Sequence, residues 1–295
     1  MFNRNLGFFS EEEQAALTDS VVAIAGVGGD GFQLAYKLAM MGVGTIKVAD
    51  PEVFEIENAN RVFGATSNHI GKNKAAVFKL MAEKLPSKPK VIAYTEGVTE
   101  SNIADFIKGA DLIIDESELT YLHIGTMIAR HARKAKVPVL MVMNIGFAGV
   151  VTSFKPAGKT FEQMMGIPED ATLKQIAKMK IELGNFIPYL PPYGDLKVLK
   201  EVQNGASLPS ISQGVDVASA LGTTEAFLHL TSHMKNHRRL PVWAPEFRYI
   251  DAYTNKSAHI KFPSLSYKIK LFRMAAGSIL NKNPHASYHQ SSKNK

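Results

Sequence analysis

Four glycines within six residues, Gly26-Val27-Gly28-Gly29-Asp30-Gly31, form the first stretch of this sequence that could do chemistry. They follow the apolar run VVAIA (21–25) and open a stretch of helical spacing. Glycine at Gly26, Gly28, Gly29 and Gly31 lets a backbone turn tightly and approach a phosphate, whose charge a helix N-terminus favours. Asp50 closes the next apolar run, TIKVAD (45–50). A carboxylate there can accept hydrogen bonds from ribose hydroxyls. Alone, this pattern reads as "nucleotide", and an NAD-dependent dehydrogenase is its usual owner.

The residues after Asp50 point elsewhere. The stretch DPEVFEIENANRVFGATSNHIGKNKA places Asn58, Arg61, Lys72 and Lys74 near the glycine turn. Arginine grips phosphate with two parallel donors, and lysine supplies a compact point charge. Hydride transfer needs no such cations beyond the pyrophosphate. Cleavage of a triphosphate does, because negative charge must be held in line during transfer. A second acidic stretch, Asp115-Glu116-Ser117-Glu118, follows the apolar run ending at Asp115. Acids at the carboxyl ends of such strands usually face the ligand crevice. His229, His233 and His237 stand four apart and could bind zinc on one helical face. With no carboxylate beside them, a polar helix end is the preferred reading.

The elements that must position these groups alternate in period. Short apolar runs at 21–25, 45–50, 91–95, 111–115 and 137–143 read as strands. Helical spacing at 29–42, 71–85, 100–108 and 119–135 falls between them, and 147–156 reads as one further strand. The fold class is therefore α/β, Rossmann-like: a mostly parallel sheet with helices on both faces, then a less regular α+β C-terminal part. In that second half, 171–183 and 211–233 read as helices. The Pro-rich stretch 184–194 reads as a lid or connecting loop. Met164 and Met165, just after the last strand, read as core filling. Residues 266–280 read as a packed basic helix, and the composition beyond them predicts a disordered tail.

Together, GxGGxG, the acid closing the second strand, the ENxNR segment and the GKxKA helix start resemble the ThiF–MoeB–HesA adenylyltransferases, whose superfamily includes the ubiquitin-activating enzymes. The resemblance covers about residues 1–155. It implies an ATP- and Mg2+-dependent enzyme that adenylates a carboxylate and releases pyrophosphate. Carried over to this sequence, it implies that Gly26, Gly28, Gly29 and Gly31 hold phosphate, Asp50 holds ribose, and Asn58, Arg61 and Lys74 contact the phosphates. FNRN (2–5) matches the family's opening segment, which implies that Arg4 reaches the ATP of a homodimer partner. The family's D-x-x-D-N pattern falls on Asp115 to Leu119, which makes Glu118 the implied Mg2+ ligand, with Asp115 or Glu116 as substitutes. Glutamate is one methylene longer than the family's residue, and Mg2+ tolerates little misplacement.

Composition bounds the rest. The 295 residues contain no cysteine, which excludes disulfides, thioester relays, Cys-ligated zinc and Fe–S clusters. No apolar run is long enough for a membrane helix and no secretory segment opens the chain, so a cytoplasmic protein is expected. The net charge of +7 is concentrated at the end: residues 232–295 hold 12 Lys and Arg against Glu246 and Asp251. Such a field attracts anions, nucleic acid among them. The expected organisation is an ATP-binding domain at 1–156, a substrate-side extension at 157–250, and a basic helix and tail at 251–295. Expected partners are a carboxylate-bearing peptide, a small carrier protein or a metabolite, and a second copy of the chain. A dehydratase of tRNA threonylcarbamoyladenosine, a degenerate nucleotide-binding partner protein and an NAD-dependent oxidoreductase are the rival readings.

Overall fold

A computed structural model describes residues 1–180, 187–195, 201–202, 208–234 and 239–262. The chain opens with α1 (Glu11–Asp19), started by a capping box in which Ser10 and Glu13 satisfy each other's backbone amides. Then β1 (Val21–Ala25), α2 (Gly29–Met41) and β2 (Thr45–Ala49) follow. A 3-10 turn (Ile56–Asn60) leads to α3 (Lys74–Ala82), β3 (Lys90–Tyr94), α4 (Ile103–Ile107) and β4 (Leu112–Asp115). Next come α5 (Leu122–Ala135), β5 (Val139–Ile145), β6 (Ala148–Phe154), α6 (Phe161–Met165) and α7 (Leu173–Ile176). The long helix α8 (Ser212–Thr231) and the hairpin β7 (Glu246–Asp251) and β8 (Lys256–Lys261) complete the described elements.

All eight strands lie in one sheet, in the order β3-β2-β1-β4-β5-β6-β7-β8. The first five are parallel and the last three run antiparallel. The chain steps outward from β1 in both directions, so the crevice between β1 and β4 is the topological switch point. Alternate strand residues supply two cores. Ala23, Ala25, Ile113 and Met141 pack toward α4, α5 and α6, whereas Val22, Ile24, Ile114 and Val142 pack toward α2, α3 and α8. This period of two decides where each strand-end side chain points.

Two expectations need correction. The polar, basic text after His233 contains the pair β7 and β8, so the boundary drawn at 250/251 falls inside a strand. Their burial is patchy, with Phe247 and Asp251 the buried residues of β7 and none in β8, which left no clear apolar face to read. The helix expected at 171–183 is helical over Leu173–Ile176, where Ile176 is the one buried residue. Residues 181–186 and 263–295 lie outside the described residues, and with them the start of the Pro-rich stretch, the basic helix at 266–280 and the tail. Residues 187–194 are without helix or strand. Met164 and Met165 are buried in the core beside α5.

Candidate nucleotide site

The glycine turn sits at the carboxyl end of β1, tied to β2 by Gly26 N–H donating to the Ala49 carbonyl at 2.8 Å. Gly26 has φ +94°, and a Cβ there would stand 2.3 Å from the Glu116 carbonyl oxygen. A Cβ on Gly31 would meet the Gly26 carbonyl at 2.1 Å. These two glycines allow the turn to close on itself. Gly28 differs, since nothing lies within 4 Å of where its Cβ would be. That open side, at the N-terminus of α2, is the approach a phosphate requires.

Asp50 braces the turn. It is buried, and its two carboxylate oxygens accept from Val27 N–H and Glu52 N–H, each at 2.8 Å. Burial raises its pKa, while those amides and Lys74 hold it down. Asn73 ties β2 to β3 by donating to the Asp50, Glu52 and Thr95 carbonyls, and its own oxygen caps α3. Lys74, the first residue of α3, is thereby set beside Asp50. It is 5% exposed and pairs with Glu52 at 2.5 Å. Arg61 crosses the start of α2: its Cγ would lie 3.8 Å from a Cβ on Gly29. Its guanidinium donates to the Glu57 carbonyl and to Asn60 Oδ1. Asn58 is buried inside the 3-10 turn, where its amide oxygen accepts from Glu55 N–H. The structure thus brings Gly26, Gly28, Gly29, Gly31, Asp50, Arg61 and Lys74 together, with Asn58 as a brace beneath them.

Arg4 is not brought to this site. Phe2 packs against Gly42 and Asn5 bonds to Gln14, which itself holds the Met41 carbonyl. The N-terminal segment is therefore pinned to the far end of α2, about 20 Å from the glycine turn at 1.5 Å per helical residue. Lys72 is exposed beside α3. His229 is buried, bonds Ser153 through Nε2 at 2.8 Å and meets the Trp243 ring edge-on, so it serves packing. His237 lies outside the described residues.

The acids after β4 split between the two faces. Asp115 pairs in register with Ala25 and shares its direction, toward α5. Its Oδ1 accepts from Ser117 N–H and Ser117 Oγ, and its Oδ2 lies 3.2 Å from where a Gly125 Cβ would be. Asp115 therefore points toward α5, away from the phosphate side. Glu118 is exposed and accepts a hydrogen bond from Thr120. Among the described residues, no three His, Asp or Glu side chains group closely enough to hold a metal.

Glu116, one residue further than Asp115, turns the opposite way, onto α2. It meets Asp30, the variable residue of the glycine motif. Asn144, near the end of β5, donates from Nδ2 to Asp30 Oδ2 at 2.8 Å. Burial drives the Asp30 pKa up to about 7, opposed by Asn144 and Arg61. Burial and the neighbouring Asp30 and Asp115 push Glu116 up as well, opposed by a hydrogen bond from the Val142 backbone. The sequence reading named Glu116 as a substitute metal ligand but gave Asp30 and Asn144 no such role. The signal was present, because residues 114, 116, 142 and 144 share one face by alternation.

The ThiF family pattern matches residues 2–267. The chain belongs to the ThiF family. It is 32% identical over 143 residues to a tRNA threonylcarbamoyladenosine dehydratase of Bacillus subtilis, covering 48% of this chain and 56% of that one. It is 29% identical over 107 residues to a sulfur carrier protein adenylyltransferase of Thermus thermophilus, covering 36% and 40%. The chain thus spans less than two thirds of the length of these curated relatives. Among solved structures, E. coli MccB with ATP superposes with a TM-score of 0.61 at 17% identity, over 84% of this chain and 65% of that one. That similarity concerns the fold.

Proposed function

We propose that this ThiF-family chain is an ATP-dependent adenylyltransferase that activates a carboxylate as an acyl-adenylate. The observation that carries this reading is the pairing of an open glycine turn with two cations, Arg61 and Lys74, at the switch point of the sheet. ATP would lie over Gly28 with its phosphates at the N-terminus of α2 and its ribose toward Asp50. Both Asp50 oxygens already accept one amide, and each retains a lone pair for a ribose hydroxyl. A substrate carboxylate oxygen attacks the α-phosphorus. The bond from that phosphorus to the β-phosphate oxygen breaks, and pyrophosphate leaves with the electron pair. Lys74 exchanges its Glu52 partner for phosphate oxygens, and Arg61 meets the charge that grows on the leaving group. Mg2+, when bound, adds neutralisation of the phosphate charge.

No thiol is available in the sequence, so the acyl-adenylate is not passed to a thiol of this chain, and a nucleophile supplied from elsewhere is proposed to consume it. The substrate class proposed is a carboxylate in a peptide, in a small carrier protein or in a metabolite. The working unit is a two-fold homodimer in which Arg4 acts on the partner's site, which accords with its distance from its own turn. Among the described residues no helix is long and apolar enough to cross a membrane.

A tRNA-directed reaction is the second reading. Lys155, Arg239, Arg248 and Lys261, with Glu246 among them, line one groove of about 530 Å3, and buried Glu225 pairs with Arg239 beneath it. Lys155 follows β6, whose end pairs with the start of β5, so the groove lies at the opposite end of the sheet from the glycine turn. A cationic groove there suits a polyanion long enough to span the molecule.

Calorimetry with ATP and with NAD, followed by exchange of labelled pyrophosphate into ATP over a panel of carboxylates, tests the enzyme reading. ATP binding and carboxylate-dependent exchange are expected. NAD binding without ATP binding would overturn it, and so would ATP binding with no exchange across peptide, carrier, metabolite and tRNA substrates.

A further inference from the structure

Asp30, Glu116 and Asn144 come from α2, the end of β4 and the end of β5, and meet behind the glycine turn. Each carries a buried side-chain oxygen without a hydrogen-bond partner: Asp30 Oδ1, Glu116 Oε1 and Asn144 Oδ1. Asp30 is 6% exposed, and its other oxygen is fixed by the Asn144 amide. A buried acceptor left without a donor is costly, and a buried carboxylate beside another more so. The nearest cation, Arg61, has its guanidinium committed to the Glu57 carbonyl and Asn60. What the three groups offer is a set of hard oxygen donors, two of them acidic. Mg2+ and its chemical relatives bind through such donors. A doubly charged ion between the two carboxylates would offset the mutual repulsion of two negative charges held out of water.

We propose that Asp30, Glu116 and Asn144 seat a divalent cation directly behind the phosphate turn, in place of the Glu118 position implied by the family's acidic pattern. The family relation of this ion to ATP rests on the adenylyltransferase reading, but the seat itself requires no nucleotide. Its physical basis is local: Asp115 faces α5, Glu118 is exposed, and the acceptors lacking partners are on the α2 face.

The test uses Mn2+ as the probe, on the full chain without nucleotide. Electron paramagnetic resonance reads free Mn2+ directly during a titration, and Mg2+ competition reports whether the seat accepts both ions. One Mn2+ per chain is expected, displaced by Mg2+. Asp30→Asn and Glu116→Gln should each weaken binding about 10-fold or more, whereas Glu118→Gln should retain it. Mn2+ should raise the melting temperature of the parent but not of Asp30→Asn. If Asp30→Asn does not fold, Asn144→Val removes one donor and should weaken Mn2+ in the same direction. Two results would overturn the seat: a parent that binds no Mn2+, as expected if the two carboxyls instead share a proton, or loss of binding in Glu118→Gln with retention in Asp30→Asn. Pyrophosphate exchange on the same preparation separates the two ideas. Exchange without nucleotide-free Mn2+ binding removes the seat alone, while Mn2+ binding without exchange removes the enzyme reading and leaves the seat.

Discussion

Lys74→Met separates a catalytic lysine from a structural one. The lysine stem is buried, and methionine keeps an unbranched apolar chain of similar length in that space. What is lost is the ammonium and its 2.5 Å pair with Glu52, whose side chain is 59% exposed. A pair with one partner in solvent contributes up to about 1 kcal/mol. Removing the buried charge relieves its desolvation penalty, while Asp50 loses a cation that holds its pKa down, so the two changes oppose each other and the net change in stability should stay within about 1 kcal/mol of zero. The effect on chemistry is of a different size. A cation placed against charge that grows in the transition state contributes about 2.7–4 kcal/mol, which is 100-fold or more in rate. Urea denaturation of both proteins gives the first quantity and pyrophosphate exchange at saturating ATP gives the second. A variant that exchanges at the parental rate refutes the role assigned to Lys74. A loss of several kcal/mol of stability in step with activity refutes the argument that the pair with Glu52 is energetically minor.

Three further outcomes are expected. His229 is held neutral by burial, with its pKa lowered from 6.5 to about 4. The unfolded chain takes up a proton below pH 6.5 and the folded chain does not, so stability is lost as pH falls from 6.5 toward 4, by about 3 kcal/mol in all; His229→Gln should remove that slope in denaturation curves taken across this range. Glu162 is 1% exposed and receives Arg130 Nε at 3.1 Å and both terminal nitrogens of Arg133 at 2.8 Å; Glu162→Gln should cost about 3–5 kcal/mol by leaving two guanidinium groups undercompensated, read by urea denaturation. Mixing Arg4→Ala with Lys74→Ala chains should restore activity in about a quarter of all sites, because a two-fold dimer with one chain of each kind has one site with both lesions and one with neither; absence of rescue in heterodimers shown to form would remove Arg4 from the partner's site.

The frame of the site was legible because its signals are local. A glycine turn between an apolar run and a helical spacing can be read from 25 residues, and Asp50 follows from where the second run ends. The antiparallel pair β7 and β8 was not legible, since a strand at the margin of a sheet buries too few side chains to alternate. Helix α1 was missed although Ser10 and Glu13 carry its start signal. The meeting of Asp30 with Glu116 and Asn144 needs three elements to be in place, and no spacing within the sequence expresses it. The direction of Asp115 was recoverable: Ile113 and Ile114 face opposite cores, and counting onward by two sends Asp115 to α5 and Glu116 to α2.

Helix α8 carries Gly214, Ala218 and Gly222 at intervals of four, one above another on the side that meets the sheet. A Cβ on Gly214 would strike the Gly146 carbonyl at 2.0 Å, and one on Gly222 would stand 2.7 Å from both Leu34 and Val142. From the sheet side, Gly149 of β6 approaches the Ala218 backbone so closely that a Cβ would come within 2.6 Å. Backbone in contact with backbone cannot slide by the rotamer hops that let longer side chains accommodate a shift. Val215 is carried on this seam and reaches to 3.1 Å of a Cβ position on Gly29. The helix therefore works as a fixed gauge between the sheet and the phosphate turn.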